Sequence, residues 1–254
     1  MELPSVLGVF AHPDDEPLFA GGLLARHAEA GARTAVVTAT WAEGTHRVPE
    51  LARALDELGA GRPRLLGHAD AKVPGSAPGR ARLLDAPLDA VVGQLVGHLR
   101  EFRPDWVVTH DAYGGLTGHP DHRHTHRLTV LAVHAAALPG LHPGLGDPWA
   151  VRRLLLATHP RSAAQELGPL LLRPGRTGYS VPDATVEALD VTPWLPRKLA
   201  AVLAHHSEVV RGALPGRLAA APPGVRERLM RTEWYQSHPI PTHLLDSRHA
   251  AAAR

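Results

Sequence analysis

The chain contains no cysteine. That excludes disulfides, thiolate metal ligands and a cysteine nucleophile. Lysine is nearly as scarce: Lys72 and Lys198 are the only two, so the basic side of the charge balance is almost all arginine. Aromatic residues make up 4% of the 254 residues. A nucleic-acid surface needs a clustered basic patch. Here the basic residues are scattered and rings are few, so no nucleic-acid partner is expected. No run of about 18 apolar residues occurs, and no membrane span is expected. Residues 1–4 lack the basic segment and apolar stretch of a secretory signal, which makes the cytoplasm the expected compartment. No Gly-x-Gly-x-x-Gly follows the first apolar run, so the dinucleotide fingerprint is missing.

What is present is globular. Hydrophobic content is 44%, charged content 20% and net charge +2. A chain of this length buries a full core, and residues 1–254 are expected to form a single domain. Apolar runs at 5–10, 34–40, 64–66, 106–109, 151–157 and 185–190 predict strands. Between and after them, 16–30, 49–58, 87–102, 121–137, 193–206 and 223–235 read as helices. Pro49 and Pro87 suit first-turn positions and Gly31 and Gly59 suit helix stops. Residues 67–82, 138–148 and 214–222, rich in Gly, Pro and Ala, read as loops. This alternation predicts an α/β fold: a Rossmann-like, mostly parallel sheet with helices on both faces. Residues 150–240 are expected to complete the pocket, and the tail after Pro239 is expected to be poorly ordered.

Two polar clusters follow two of these strands. His12-Pro13-Asp14-Asp15-Glu16 comes after strand one, and Gly118-His119-Pro120-Asp121-His122 follows the strand that starts at Trp106. Open α/β sheets place ligands at the carboxyl ends of their strands, so both clusters can converge on one crevice. Histidine with carboxylate is a ligand set for zinc with an open position. His12 and Asp15, three residues apart on a turn, can aim at one point; Asp14 points elsewhere and is free to act as a general base. The plainer interpretation makes Asp14, Asp15 and Glu16 helix-start acids favoured by the macrodipole. In the second cluster, His-x-x-His offers one ligand and one neighbour of different role, and spacing does not say which is which. Asp121 can orient an imidazole. His124 and His126 point in other directions along a helix and are set aside. Lys198 reads as a solvated helix lysine, and His205 is placed evenly between packing behind the site and lining it. Trp41, directly after strand two, and Trp234 are candidates for the pocket mouth.

These residues resemble the LmbE-like/PIG-L family of N-acetylglucosaminyl deacetylases. Ala11-His12-Pro13-Asp14-Asp15-Glu16, followed by Gly21-Gly22, is similar to its first signature. Asp111-x-x-Gly114-Gly115-x-x-Gly118-His119-Pro120-Asp121-His122 is similar to its second. Arg47-x-x-Glu50-Leu51-x-x-Ala54-x-x-x-Leu58-Gly59 and Lys198-x-x-Ala201-x-x-x-His205-x-Ser207 resemble two helix motifs that accompany them. Four motifs in order, spanning about residues 5–208, make a chance match remote.

The resemblance implies a metal-dependent hydrolase that removes the N-acetyl group from a GlcNAc-containing small molecule of the bacillithiol or mycothiol precursor type. It implies His12, Asp15 and His122 as ligands of Zn2+, with Fe2+ suited to the same donors. Asp14 would be the general base. His119, charged, would stabilise the oxyanion or protonate the leaving amine, with Asp121 tuning it. Arg47 and Asp70 would bind substrate. Members of the family form both small and hexameric assemblies, so a homo-oligomer is allowed. Three positions depart from the pattern: Thr117 stands in place of a tyrosine, Glu208 in place of a glutamine, and the segment between Thr40 and Arg47 is short. Two other functions fit parts of the same sequence: a thiol-conjugate amidase on the same metal centre, and a non-catalytic Rossmann-like binding module.

Overall fold

The computed structural model describes residues 3–172, 175 and 177–240. In chain order its first half forms β1 (Val6–Phe10), α1 (Asp15–Glu29), β2 (Thr34–Thr40), α2 (Arg47–Leu58), β3 (Arg64–His68), α3 (Leu88–Phe102), β4 (Trp106–His110) and α4 (Pro120–Ala136). The second half forms β5 (Arg153–Ala157), α5 (Arg161–Leu171), β6 (Glu187–Asp190), α6 (Leu195–Ala204), α7 (His206–Val210), α8 (Leu214–Ala220), α9 (Pro223–Met230) and β7 (Thr232–Pro239). None of the described helices is long and apolar enough to cross a membrane.

Strands β1 and β2 are buried along their whole length. That is the pattern of parallel strands covered on both faces. The seven strands lie in the order β3-β2-β1-β4-β5-β7-β6. The first five are parallel; β7 runs antiparallel to both β5 and β6. The expected α/β architecture is therefore present, with an antiparallel edge added by the C-terminal chain. Helices α3 and α4 cover one face over a core that includes Leu7, Val9 and Val107. On the opposite face, Phe10 and Val108 pack against α1, α2 and Ala201 of α6. The chain runs from β1 outward to β2 on one side, and β4 lies on the other. This reversal of strand order opens a crevice at the carboxyl ends of β1 and β4, where both polar clusters stand.

Helix α1 is kinked at Ala20 (φ −146°, ψ 18°). Gly21 and Gly22 follow because side chains from elsewhere occupy the space a Cβ would need. A Cβ on Gly22 would sit 2.3 Å from Val191 Cβ, and one on Gly21 would sit 2.9 Å from Lys198 Cγ. Lys198 is thus buried, not solvated as the sequence suggested. Its Nζ lies 2.8 Å from Glu233 Oε1. Glu233 also accepts from the Gly22 and Leu23 amides at 2.7 and 2.9 Å and from the Tyr235 hydroxyl at 2.7 Å. One buried carboxylate thereby joins α1, α6 and β7 and satisfies amides that the kink exposes.

The C-terminal third differs most from expectation. Residues 223–235, read as one helix, divide into α9 and β7, because alternation in Glu233-Trp234-Tyr235 completes a sheet edge rather than a helix face. Residues 214–222, read as a loop, carry α8, started by Pro215 in its first turn. Residues 161–171, left unassigned, form α5 despite Pro169. The predicted helix 193–206 breaks at His205 into α6 and α7. The tail expected to be poorly ordered, beyond Pro239, lies outside the described residues except for Ile240.

Candidate active site

His12 leaves β1 and points both ring nitrogens at acids. Its Nε2 lies 3.0 Å from Asp70 Oδ2 and 3.1 Å from Asp121 Oδ2. Its Nδ1 lies 3.3 Å from Asp15 Oδ2 and 3.1 Å from His122 Nε2. His122 Nε2 is in turn 3.2 Å from Asp15 Oδ1, and its Nδ1 reaches the Gly114 carbonyl at 3.3 Å. The outer nitrogens of both rings therefore face acceptors and carry the protons. That leaves two inward lone pairs, His12 Nδ1 and His122 Nε2, facing each other beside the Asp15 carboxylate.

This arrangement fits a cation. His12 Nδ1 and His122 Nε2 stand 3.1 Å apart and face the two Asp15 oxygens at 3.3 and 3.2 Å respectively, spacings near the roughly 3.3 Å between tetrahedral zinc ligands with bonds of about 2.0–2.1 Å. Asp15, Asp70 and Asp121 surround the pair with buried negative charge. Asp121 Oδ1 is buried with no partner among the described residues. The outer acceptors on each histidine supply the support that orients metal-bound imidazoles.

Asp14 stands apart from this donor set, as the sequence suggested. Its backbone is left-handed (φ 122°), a costly conformation for a residue with a Cβ. The turn is held by the Asp14 amide donating to Glu16 Oε2 at 3.0 Å, while Glu16 Oε1 holds His205 Nε2 at 2.7 Å. Arg47 then fixes the Asp14 side chain. One of its nitrogens lies 3.0 Å from Asp14 Oδ1 and also donates to the Pro13 carbonyl. The other lies 3.4 Å from Glu208 Oε1, and the guanidinium sits 4.9 Å from the Trp41 ring centroid. Burial, with the Asp15 charge adding to it, raises the Asp14 carboxyl to about 6 against the pull of Arg47.

Several expected site residues have partners that no motif shows. Asp121 does not present its carboxylate to His119. It accepts from His12 and, at 2.9 Å, from the Ala71 amide, and it is the Asp121 backbone amide that donates to His119 Nδ1, at 3.3 Å. With Nδ1 accepting, His119 carries its proton on Nε2. Burial above all pushes the His119 ring down to about 3. Asp70 borders the cavity beside His12: its Oδ1 accepts from the Lys72 and Val73 amides at 2.6 and 3.0 Å while its Oδ2 faces His12. Arg47 is engaged by Asp14 and Glu208 from both sides.

Other residues of the site lie outside the two polar clusters. His110, the last residue of β4, stacks on His122 with ring centroids 4.0 Å apart. Asp111 accepts from the Gly115 amide and the Thr158 hydroxyl, which anchors the loop bearing the second cluster. The Glu16–His205 pair resolves the even reading of His205: it packs behind the site. His205 and Thr158 become neighbours of the two clusters only through folding. The crevice opens into a cavity of about 1030 Å³, lined on its polar side by His12, Asp14, Asp15, Arg47, His119 and His122. Trp41, Thr117 and Trp234 also border it, as does the C-terminal third through α5, α8 and α9.

The chain is similar to known proteins along most of its length. The family described as PIG-L, GlcNAc-PI de-N-acetylase, matches residues 7–133. A 1D-myo-inositol 2-acetamido-2-deoxy-alpha-D-glucopyranoside deacetylase from Mycobacterium leprae is 38% identical, over 83% of this chain and 82% of its own length. A protein of the same name from Mycolicibacterium paratuberculosis is 39% identical, over 92% of this chain and 89% of its own. Among solved structures, a conserved protein from Thermus thermophilus superimposes with a TM-score of 0.65 at 27% identity, covering 94% of this chain and 97% of that one. Motifs, fold and similarity over most of the chain coincide, and the chain belongs to the PIG-L family.

Proposed function

We propose that this chain is a divalent-metal-dependent hydrolase that removes the N-acetyl group from a GlcNAc-containing small molecule. The observation that carries this reading is the convergence of His12 Nδ1, His122 Nε2 and the Asp15 carboxylate, with a further carboxylate, Asp14, held outside that set. The relatives named above are deacetylases of an acetamido sugar, which favours this reaction over an amidase on the same centre. A module that only binds has no use for Asp14 in a strained turn. Zinc suits the donors, and ferrous iron does as well.

His12, Asp15 and His122 would hold the ion, with Asp70, Asp121 and the Gly114 carbonyl orienting the rings. When bound, the ion supplies Lewis acidity at the acyl carbonyl and acidifies water. Asp14 takes a proton from the water as its oxygen bonds to the acyl carbon, and Arg47 keeps the carboxylate aimed. Negative charge grows on the former carbonyl oxygen. His119 donates its Nε2–H there, a preorganised donor in a buried site. Asp14 then delivers its proton to nitrogen as the C–N bond breaks. The products are the free amino sugar and acetic acid, which loses its proton to solvent.

The test is acetate release from a panel of N-acetylglucosaminides, on protein whose metal content is measured in the same sample. Chelator-sensitive release is expected, with about one ion per chain. Metal bound without acetate from any member would overturn the deacetylase reading, and His12→Ala protein that keeps its full metal content would overturn the ligand set.

A further inference from the structure

Away from the His12 cluster the cavity wall turns apolar. Leu18, Leu116, Leu167, Leu170, Leu214 and Met230 line that arm; they come from α1, the loop after β4, α5, α8 and α9. All six belong to one apolar cluster. Leu18, Leu170 and Leu214 are only half-buried, so apolar surface is left turned toward open space. The whole cavity, about 1030 Å³, stands at the top of the range of roughly 300–1,000 Å³ for sites that enclose drug-sized ligands. A single acetamido sugar fills only a fraction of it.

Four of the charged side chains around the cavity are committed elsewhere. Arg47 is held by Asp14 and Glu208, Lys198 by Glu233, and Arg211 by Glu208. Arg217 donates to the Leu170 carbonyl. Burying a hydroxyl against such a wall without a partner is unfavourable, whereas burying methylene groups there is favourable.

We infer that the substrate's acetamido sugar carries an apolar aglycone, an alkyl or aryl group seated in this leucine-lined arm. The inference rests on the N-deacetylase reading. If the acyl group removed is acetyl, it is too short to reach along the arm, so the complementary apolar part belongs to what the sugar bears.

The experiment compares methyl, hexyl and inositol 2-acetamido-2-deoxyglucopyranosides, in both anomers, with the methyl glycoside of N-octanoylglucosamine. Each buried methylene is worth up to about fourfold. The hexyl glycoside should therefore exceed the methyl one by at least ~30-fold in kcat/KM and should exceed the inositol one as well. Leu170→Gln and Leu214→Gln should each lower the hexyl-to-methyl ratio. Equal kcat/KM for hexyl and methyl glycosides would overturn the inference and leave the deacetylase reading standing. So would a chain preference seen only on the N-octanoyl compound. Calorimetric titration with the same glycosides separates the two readings: tighter hexyl binding with no acetate released supports the arm and removes the deacetylase assignment.

Discussion

At the carboxyl ends of β1 and β4, the imidazoles and carboxylates of the two polar clusters hold one another and are held by side chains from several elements. At the other end of the same cavity the walls are apolar side chains on short helices, α5, α8 and α9, which follow the last parallel strand. The first end is set by sheet register, which leaves little freedom: His12 and Asp111 leave adjacent strands whose pairing fixes their separation. The second is set by packing of apolar surface, which tolerates many shapes of similar volume. The contrast separates chemistry, held rigidly by the sheet, from selection of the substrate's remainder, assigned to the helices.

Joining the two regions is the Lys198–Glu233 pair, and breaking it is expected to have the largest effect. Lys198→Met leaves a buried carboxylate without its cation, so stability should fall by about 3–5 kcal/mol, read from urea unfolding. A loss near zero would mean that the amide and Tyr235 donors hold Glu233 alone and that the two regions are not clamped together. Next is Asp14→Asn, which should cost at least ~10²-fold in kcat with metal content intact. Near-wild-type turnover would remove Asp14 from the proposed role.

Arg47→Lys sharpens the contrast. Lysine can meet Asp14 or Glu208 but lacks the planar fork that meets both. We expect roughly a tenfold fall in kcat with little change in KM, the mark of a misaimed base. A raised KM with kcat unchanged would instead place Arg47 on the substrate. The smallest effect is the pH dependence of His205. Burial lowers its affinity for a proton, but the Glu16 carboxylate outweighs burial and the group titrates above its ordinary value. Its contribution to stability is therefore complete below about 6.5, the unfolded value, and is lost as pH rises through the higher folded value. The stability advantage of the wild type over His205→Gln should shrink as pH rises through that window, and an advantage growing with pH would refute the sign.

The parallel part of the fold was legible because its strands are short apolar runs and its helices carry period and stop signals. The loss of legibility after residue 160 has a physical cause. Helix α5 contains a proline, α8 is seven residues long, and β7 is a strand only because the β5 edge lies open beside it. Within the candidate site, His12, Asp14, Asp15, His119, Asp121 and His122 were all legible as a group, since each cluster is contiguous. Their hydrogen-bond partners were not. Asp70 and Asp121 reach His12 across 58 and 109 residues of sequence, and no local pattern records that.

By itself the sequence determined the strand-and-helix alternation, the two clusters that follow β1 and β4, and membership of the family, because these depend on neighbours along the chain. Only the tertiary structure decided which nitrogen of each histidine faces inward, that Arg47 is held by Asp14 and Glu208, that Lys198 is buried, and that a leucine-lined arm adjoins the centre. Each of these depends on burial and on partners distant in sequence, and both come into being only when the chain closes on itself.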